Sequence, residues 1–77
     1  MNPNFTGTML EYRVWKFPSG ELGLAITSFQ RMQVTPMRIT GSIQSSDNLV
    51  ELLLLVNALR EIAGNFSIHL VMPYCAY

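Results

Sequence analysis

The stretch Lys16–Glu21, KFPSGE, brings an aromatic ring, a turn signal and a carboxylate close together. Phe17 offers a face on which a planar ring can stack, and the Glu21 carboxylate can accept hydrogen bonds from an amino-bearing ring. Between them Pro18 presets φ and Gly20 accepts positive φ, so the stretch also satisfies every requirement of an ordinary hairpin turn. The residues alone favour that plainer reading.

Other reactive groups carry less. His69 is the only histidine. No cysteine or carboxylate lies at metal-ligand spacing around it, so it reads as a packing or surface residue and no metal site is expected. Cys75 lies beside a strand end without a histidine or acid partner and reads as a small side chain. The turn from Gln44 to Asn48 leads into a helix N-terminus, where free amides can bind anions, but every helix offers such an end. No G-x-S-x-G, P-loop or G-x-G-x-x-G pattern occurs. No catalytic residue is assigned.

The chain has 77 residues, 49% of them hydrophobic and 13% charged. That length allows one small domain with a marginal core, and the apolar content argues against disorder. It also exceeds what so small a domain easily buries, which points either to association or to a place in something larger. Five basic residues balance five acidic ones. Arg13, Lys16, Arg31, Arg38 and Arg60 are scattered, so no electrostatic footprint for nucleic acid is expected. A lone cysteine fits a reducing compartment. The apolar run Leu52–Val56 is far shorter than the ~20 residues of a membrane helix, and no signal peptide is read; a cytoplasmic protein with no membrane contact is expected.

These side chains must be held by a few elements. Residues 1–9 read as a loose, polar lead-in. A strand is expected from about Leu10 to Phe17, a turn at Pro18–Gly20, and a returning strand, so that Leu10–Phe29 forms a hairpin. QRMQVTP is a connection. MRITGSIQ reads as a strand with Ile39 and Ile43 apolar and Gly41 interrupting it. SSDN supplies N-caps for a helix from about Asp47 to Ala63, with Asp47 and Glu51 near its positive end, Arg60 in its last turns, and Gly64 ending it in the left-handed conformation. Leu49, Leu52, Leu53, Leu55, Val56, Leu59, Ile62 and Ala63 cover a broad apolar face. Asp47, Glu51, Asn57 and Glu61 are assigned to the other side, with Val50, Leu54 and Ala58 among them. So narrow a polar strip predicts a helix covered on both sides. FSIHLVM is a last strand ended by Pro73. Strand, helix, strand is a βαβ unit with parallel strands and a right-handed crossover, so the fold class is α/β, a β-hairpin plus a βαβ unit.

Taken in order, KFPSGE, ITGSIQSSDNLVELLLLVNALR and LVMPYCAY resemble the N-terminal domain of ribose-phosphate pyrophosphokinase (phosphoribosyl pyrophosphate synthetase). That family has R-F-P-D-G-E on a hairpin, then I-Q-S/N-S-D-D/N-L-M-E-L-L opening a helix that ends D-A-L-R. A strand and I-P-Y-x-x-Y-A-R-Q-D-R follow. The resemblance runs from about Arg13 to Tyr77, and the compact QSSDN junction is similar to the shorter bacterial and phage-type members. It implies a partial phosphoribosyltransferase-like (Rossmann-like) domain spanning residues 1–77.

The resemblance also implies a function. The family transfers the β,γ-diphosphoryl group of ATP to the 1-hydroxyl of ribose 5-phosphate with Mg²⁺, for nucleotide biosynthesis, and assembles into homo-oligomers. Its hairpin contacts adenine across a subunit interface, so Phe17, Ser19 and Glu21 are the implied adenine-contacting positions. Ser19 stands where the family has Asp or Asn and is too short to accept the same pair of bonds. Lys16 stands where arginine is frequent. His69 matches no functional histidine of the family. Past the position of Tyr77 the family continues into the Arg-Gln-Asp segment that holds ATP phosphates, then the catalytic loop and the ribose-phosphate loop. The chain therefore reads as a fragment or truncated relative, inactive alone, with no cofactor of its own, whose partners are like subunits or full-length synthetase. The alternative is a non-catalytic module that pairs with full-length synthetase through the helix flank at Val50 and Leu54.

Overall fold

A computed structural model describes residues 1–7, 9–30, 37–64 and 68–72. They form a small mixed α/β domain: a five-stranded sheet and one helix, in the order β1 (Thr6–Gly7), β2 (Leu10–Lys16), β3 (Leu22–Phe29), β4 (Met37–Thr40), α1 (Ser46–Ala63) and β5 (Ile68–Val71). In space the strands run β3-β2-β1-β4-β5. β4 and β5 pair in parallel, Ile39 opposite Leu70, while β3, β2, β1 and β4 pair antiparallel in succession. The expected hairpin and the parallel strands on either side of a helix are both present. Residues 31–36 of the connection, Phe66 and Ser67, and the segment with Pro73 and Cys75 lie outside the described residues.

The N-terminus departs from expectation. Instead of a loose lead-in over residues 1–9, Thr6–Gly7 forms the central strand of the sheet, and Phe5 beside it is only 2% exposed. The Phe5 ring lies where a side chain at position 41 would be: a Cβ on Gly41 would come within 2.3 Å of it. The glycine that interrupts the β4 pattern is thus the floor of a phenylalanine pocket. A two-residue strand has no periodicity to read, and Asn2, Pro3, Asn4 and Gly7 carry loop signals, so the sequence does not announce it. Met9, at φ 56, turns the chain from β1 into β2.

Alternation along β2 decides which face meets the helix. Tyr12 and Val14 are buried while Glu11 and Arg13 are exposed. Tyr12, Val14, Met37 and Ile39, with Phe5 and Ile43, form the floor under Leu52, Leu55 and Leu59. Leu55 and Leu59 are wholly removed from solvent, each contributing about 2 kcal/mol by burial. Between β2 and β3 the register slips at Glu11/Tyr12, a bulge that leaves Leu10 opposite Phe29.

The helix begins as its caps direct. Ser45, at φ −151 and ψ 166, accepts the Asn48 backbone N–H on its hydroxyl, and Asn48 Oδ1 accepts the Gln44 N–H at 3.1 Å. The helix end is also glycine, but not in the left-handed conformation. Gly64 has φ 72 and ψ −153, a region open essentially to glycine alone, with its N–H donating to the Arg60 carbonyl at 2.9 Å. Among the described residues the helix is covered on one side. Val50 and Leu53 are exposed on its outer side, Leu53 at 61%.

Candidate functional site: the hairpin tip and its buried anchor

The turn between β2 and β3 closes through two backbone bonds. The Gly20 N–H donates to the Phe17 carbonyl at 2.9 Å, and the Phe17 N–H donates to the Glu21 carbonyl at 2.8 Å. This is a three-residue loop, a type I-like turn over Pro18 and Ser19 followed by a glycine at positive φ, here 94°. Pro18 supplies the first turn angle and Gly20 the last, so the sequence specifies the loop locally. Phe17, Ser19 and Glu21 are all exposed, and the Glu21 carboxylate makes no ion pair with another described residue. The structure brings the three expected site residues together on one tip. None of the clefts lined by described residues contains them: an open one of about 480 Å³ lies between Pro3, Phe5, Leu10 and Thr27, near the other end of β2.

Below the tip, β2 is fastened to the helix twice, from the face opposite Arg13 and Trp15. Lys16 Nζ pairs with Asp47 Oδ2 at 2.9 Å, with both side chains about half exposed. One helical turn deeper, the Tyr12 hydroxyl donates to Glu51 Oε2 at 2.5 Å and accepts the Phe5 backbone N–H at 3.0 Å. The same Glu51 oxygen accepts the Asn4 backbone N–H at 2.8 Å, while Asn4 Nδ2 donates to the Ser42 carbonyl at 2.7 Å. Glu51 is 1% exposed. Its assignment to the polar side of the helix is therefore corrected: Glu51, Leu55 and Leu59 form one i, i+4, i+8 ridge directed at the sheet.

The network has a titration consequence. Burial pushes the Tyr12 phenol well above its ordinary value of 10.0, and the hydrogen bond to Glu51 adds to the rise. A carboxylate that accepts a hydrogen bond from the phenol favours the neutral, protonated phenol. Tyr12 is thus a structural donor across the ordinary pH range rather than a base or nucleophile.

Other expected residues fall away from the tip. His69 is exposed on β5, opposite Arg38, a surface position as expected. Asn48 and Leu49 of the first helical turn donate their N–H groups to Ser45, and Asp47 adds an acid there, so this end of the helix is capped from within the chain. Among the described residues no three histidine, cysteine, aspartate or glutamate side chains are grouped to hold a metal, and no helix is long and apolar enough to cross a membrane.

Searches of the chain against protein-family models, curated proteins and solved structures return no match. The geometry of the tip must therefore speak for itself.

One residue at the tip was not singled out from sequence. Trp15 lies opposite Gly23 in the register of the hairpin, and its ring packs 6.1 Å from that of Phe17, at 82°. The signal was present in the period-two pattern, which puts Trp15 and Phe17 on one face of β2.

Proposed function

We propose that the chain is an N-terminal portion of a ribose-phosphate pyrophosphokinase-type protein, built on a partial phosphoribosyltransferase-like α/β domain. The observation that carries the reading is the hairpin tip: a backbone-locked turn that presents Phe17, Ser19 and Glu21 at an open surface, in the setting where three ordered motifs resemble that family. In this role Phe17 stacks on the adenine of ATP, and Glu21 accepts from its exocyclic amino group. Ser19, with one short hydroxyl, supplies at most a single contact. A tip that stands on a surface rather than in a cavity suits a ligand completed by a neighbouring subunit, so like subunits or full-length synthetase are the partners proposed, in the cytoplasm.

Diphosphoryl transfer needs metal and cationic groups around the migrating phosphates. The family takes ATP and Mg²⁺ for this, and the segments that hold them have no counterpart in these 77 residues. The purified chain is accordingly expected to form no phosphoribosyl pyrophosphate from ATP and ribose 5-phosphate. Formation above a blank would refute this division of labour. The ring-binding role is tested by titrating ATP while following backbone amide resonances. Shifts centred on residues 15–23 are expected, and their absence there would sink the adenine assignment.

A second reading draws on the helix flank at Val50 and Leu54, where Val50 is exposed and Leu54 half-buried, with Leu53 exposed beside them. In it the chain is a non-catalytic module that pairs with full-length synthetase and modulates it. Co-expression separates the two, because a module co-purifies with the enzyme or alters its rate even when Phe17 and Glu21 are replaced.

A further inference from the structure

We propose that Trp15 and Phe17 form a two-walled aromatic corner for a planar, amino-bearing heteroaromatic ring, with Trp15 as the second wall and Glu21 as the acceptor. The proposal rests on the reading of Phe17 and Glu21 given above and adds a residue that this reading does not contain.

Strand register builds the corner. Trp15 is opposite Gly23 and Lys16 opposite Leu22, and the bond from Phe17 N–H to the Glu21 carbonyl continues that pairing by one step. Trp15, Phe17, Glu21 and Gly23 therefore share the sheet face turned away from the helix. Lys16 and Leu22 take the other, where Lys16 is drawn to Asp47. On the shared face Gly23 has no side chain, and the indole fills its place: a Cβ there would lie 2.3 Å from Trp15 Cε2 and 2.4 Å from Nε1. The indole is thus held against the β3 backbone before any ligand arrives, which lowers the ordering cost of binding.

The Phe17 ring stands nearly perpendicular to the indole, at 82°, and Phe17 is 46% exposed. A ring stacked on Phe17 meets the indole edge-to-face, the two arrangements aromatic quadrupoles favour. Charge sets the preference. The Lys16 ammonium is turned to the opposite face and Arg13, on this face, is paired with Ala25 two steps further from the tip than Gly23, so the carboxylate of Glu21 is the charged group paired opposite Phe17. It accepts from ring amino groups and repels ring carbonyls. The occupant is an adenine-type ring rather than a uracil-type ring.

The chain has one tryptophan, so its emission reports on this corner. Titration with AMP is expected to change Trp15 emission saturably, with UMP giving no saturation over the same range. By calorimetry Trp15→Leu is expected to weaken AMP about tenfold, and Trp15→Phe to hold it within about threefold. If AMP binds with Trp15 emission unmoved and both variants matching the wild type, the corner is overturned while Phe17 and Glu21 keep their role. If AMP does not bind the wild type at millimolar concentration, the ring-binding reading fails and takes the corner with it. Should Trp15→Leu prove unfolded by circular dichroism, the wild-type emission and the Trp15→Phe affinity decide. An emission unmoved at AMP saturation then overturns the corner, as does a Trp15→Phe affinity reduced tenfold.

Discussion

Glu21 stands at the tip of the hairpin, while Glu51 stands on the helix and is hydrogen-bonded to Tyr12 near the hairpin's base. Glu21 is exposed and makes no ion pair with another described residue. Glu51 is 1% exposed and accepts from Tyr12 and Asn4 at a single oxygen. A buried carboxylate is costly unless its hydrogen bonds are made. Glu51 therefore holds four parts of the molecule in fixed relation: the helix, β2, the N-terminal segment and, through Asn4, the loop at Ser42. The Glu21 carboxylate holds no other described residue; its backbone carbonyl alone is engaged, by the Phe17 N–H. The comparison separates a carboxylate committed to structure from one left available to a ligand.

The sharpest way to break that contrast is to remove the buried member. Glu51→Ala leaves the Tyr12 hydroxyl and the Asn4 N–H without an acceptor and opens a void beside Leu55. A loss of about 3 kcal/mol or more is expected in urea unfolding. Glu51→Gln keeps one oxygen for the same donors and should lose clearly less. Equal losses for the two variants would show that the negative charge, which both remove, matters there rather than the packing or the neutral acceptor that glutamine keeps.

Tyr12→Phe is expected to cost about 2 kcal/mol, since it takes one donor from the carboxylate and the acceptor from Phe5 N–H. It also has a pH signature. The Tyr12 pKa is raised in the folded state from 10.0, so above pH 10 the unfolded chain releases a proton that the folded chain retains. The stabilisation is complete below that pH and falls by about 1.4 kcal/mol per pH unit above it. Chemical unfolding between pH 8 and 11 should show the wild type losing stability faster than Tyr12→Phe. Parallel curves would sink the assignment.

Lys16→Ala removes an ion pair that is about half exposed, and water and salt screen it; a loss of about 0.5 kcal/mol is expected, vanishing at high ionic strength. Smallest of all, Glu21→Ala should change stability by no more than about 0.5 kcal/mol in either direction. A large loss there would place Glu21 in the framework and remove it from the ligand account.

Much of the hairpin was legible because its signals are local. Pro18 and Gly20 each fix a backbone angle within the turn they occupy, so Phe17, Ser19 and Glu21 could be placed on a tip before any tertiary contact was known. The helix span was legible for the same reason, from Ser45 at its cap to Gly64 at its end. Trp15 was missed although its alternation with Phe17 was visible, because its partner is a missing side chain at Gly23, known only once the register is.

The sequence by itself determined the hairpin, its turn, the helix and the strands on either side of that helix, because each depends on residues a few positions apart. The tertiary structure alone decided three things: that Thr6–Gly7 enters the middle of the sheet, that Glu51 turns inward, and that Leu53 turns outward. The helix is apolar on most of its circumference, so its periodicity does not choose a seam. Tyr12 and Asn4, 39 and 47 residues away from Glu51, choose it by offering the donors that make burial of a carboxylate tolerable.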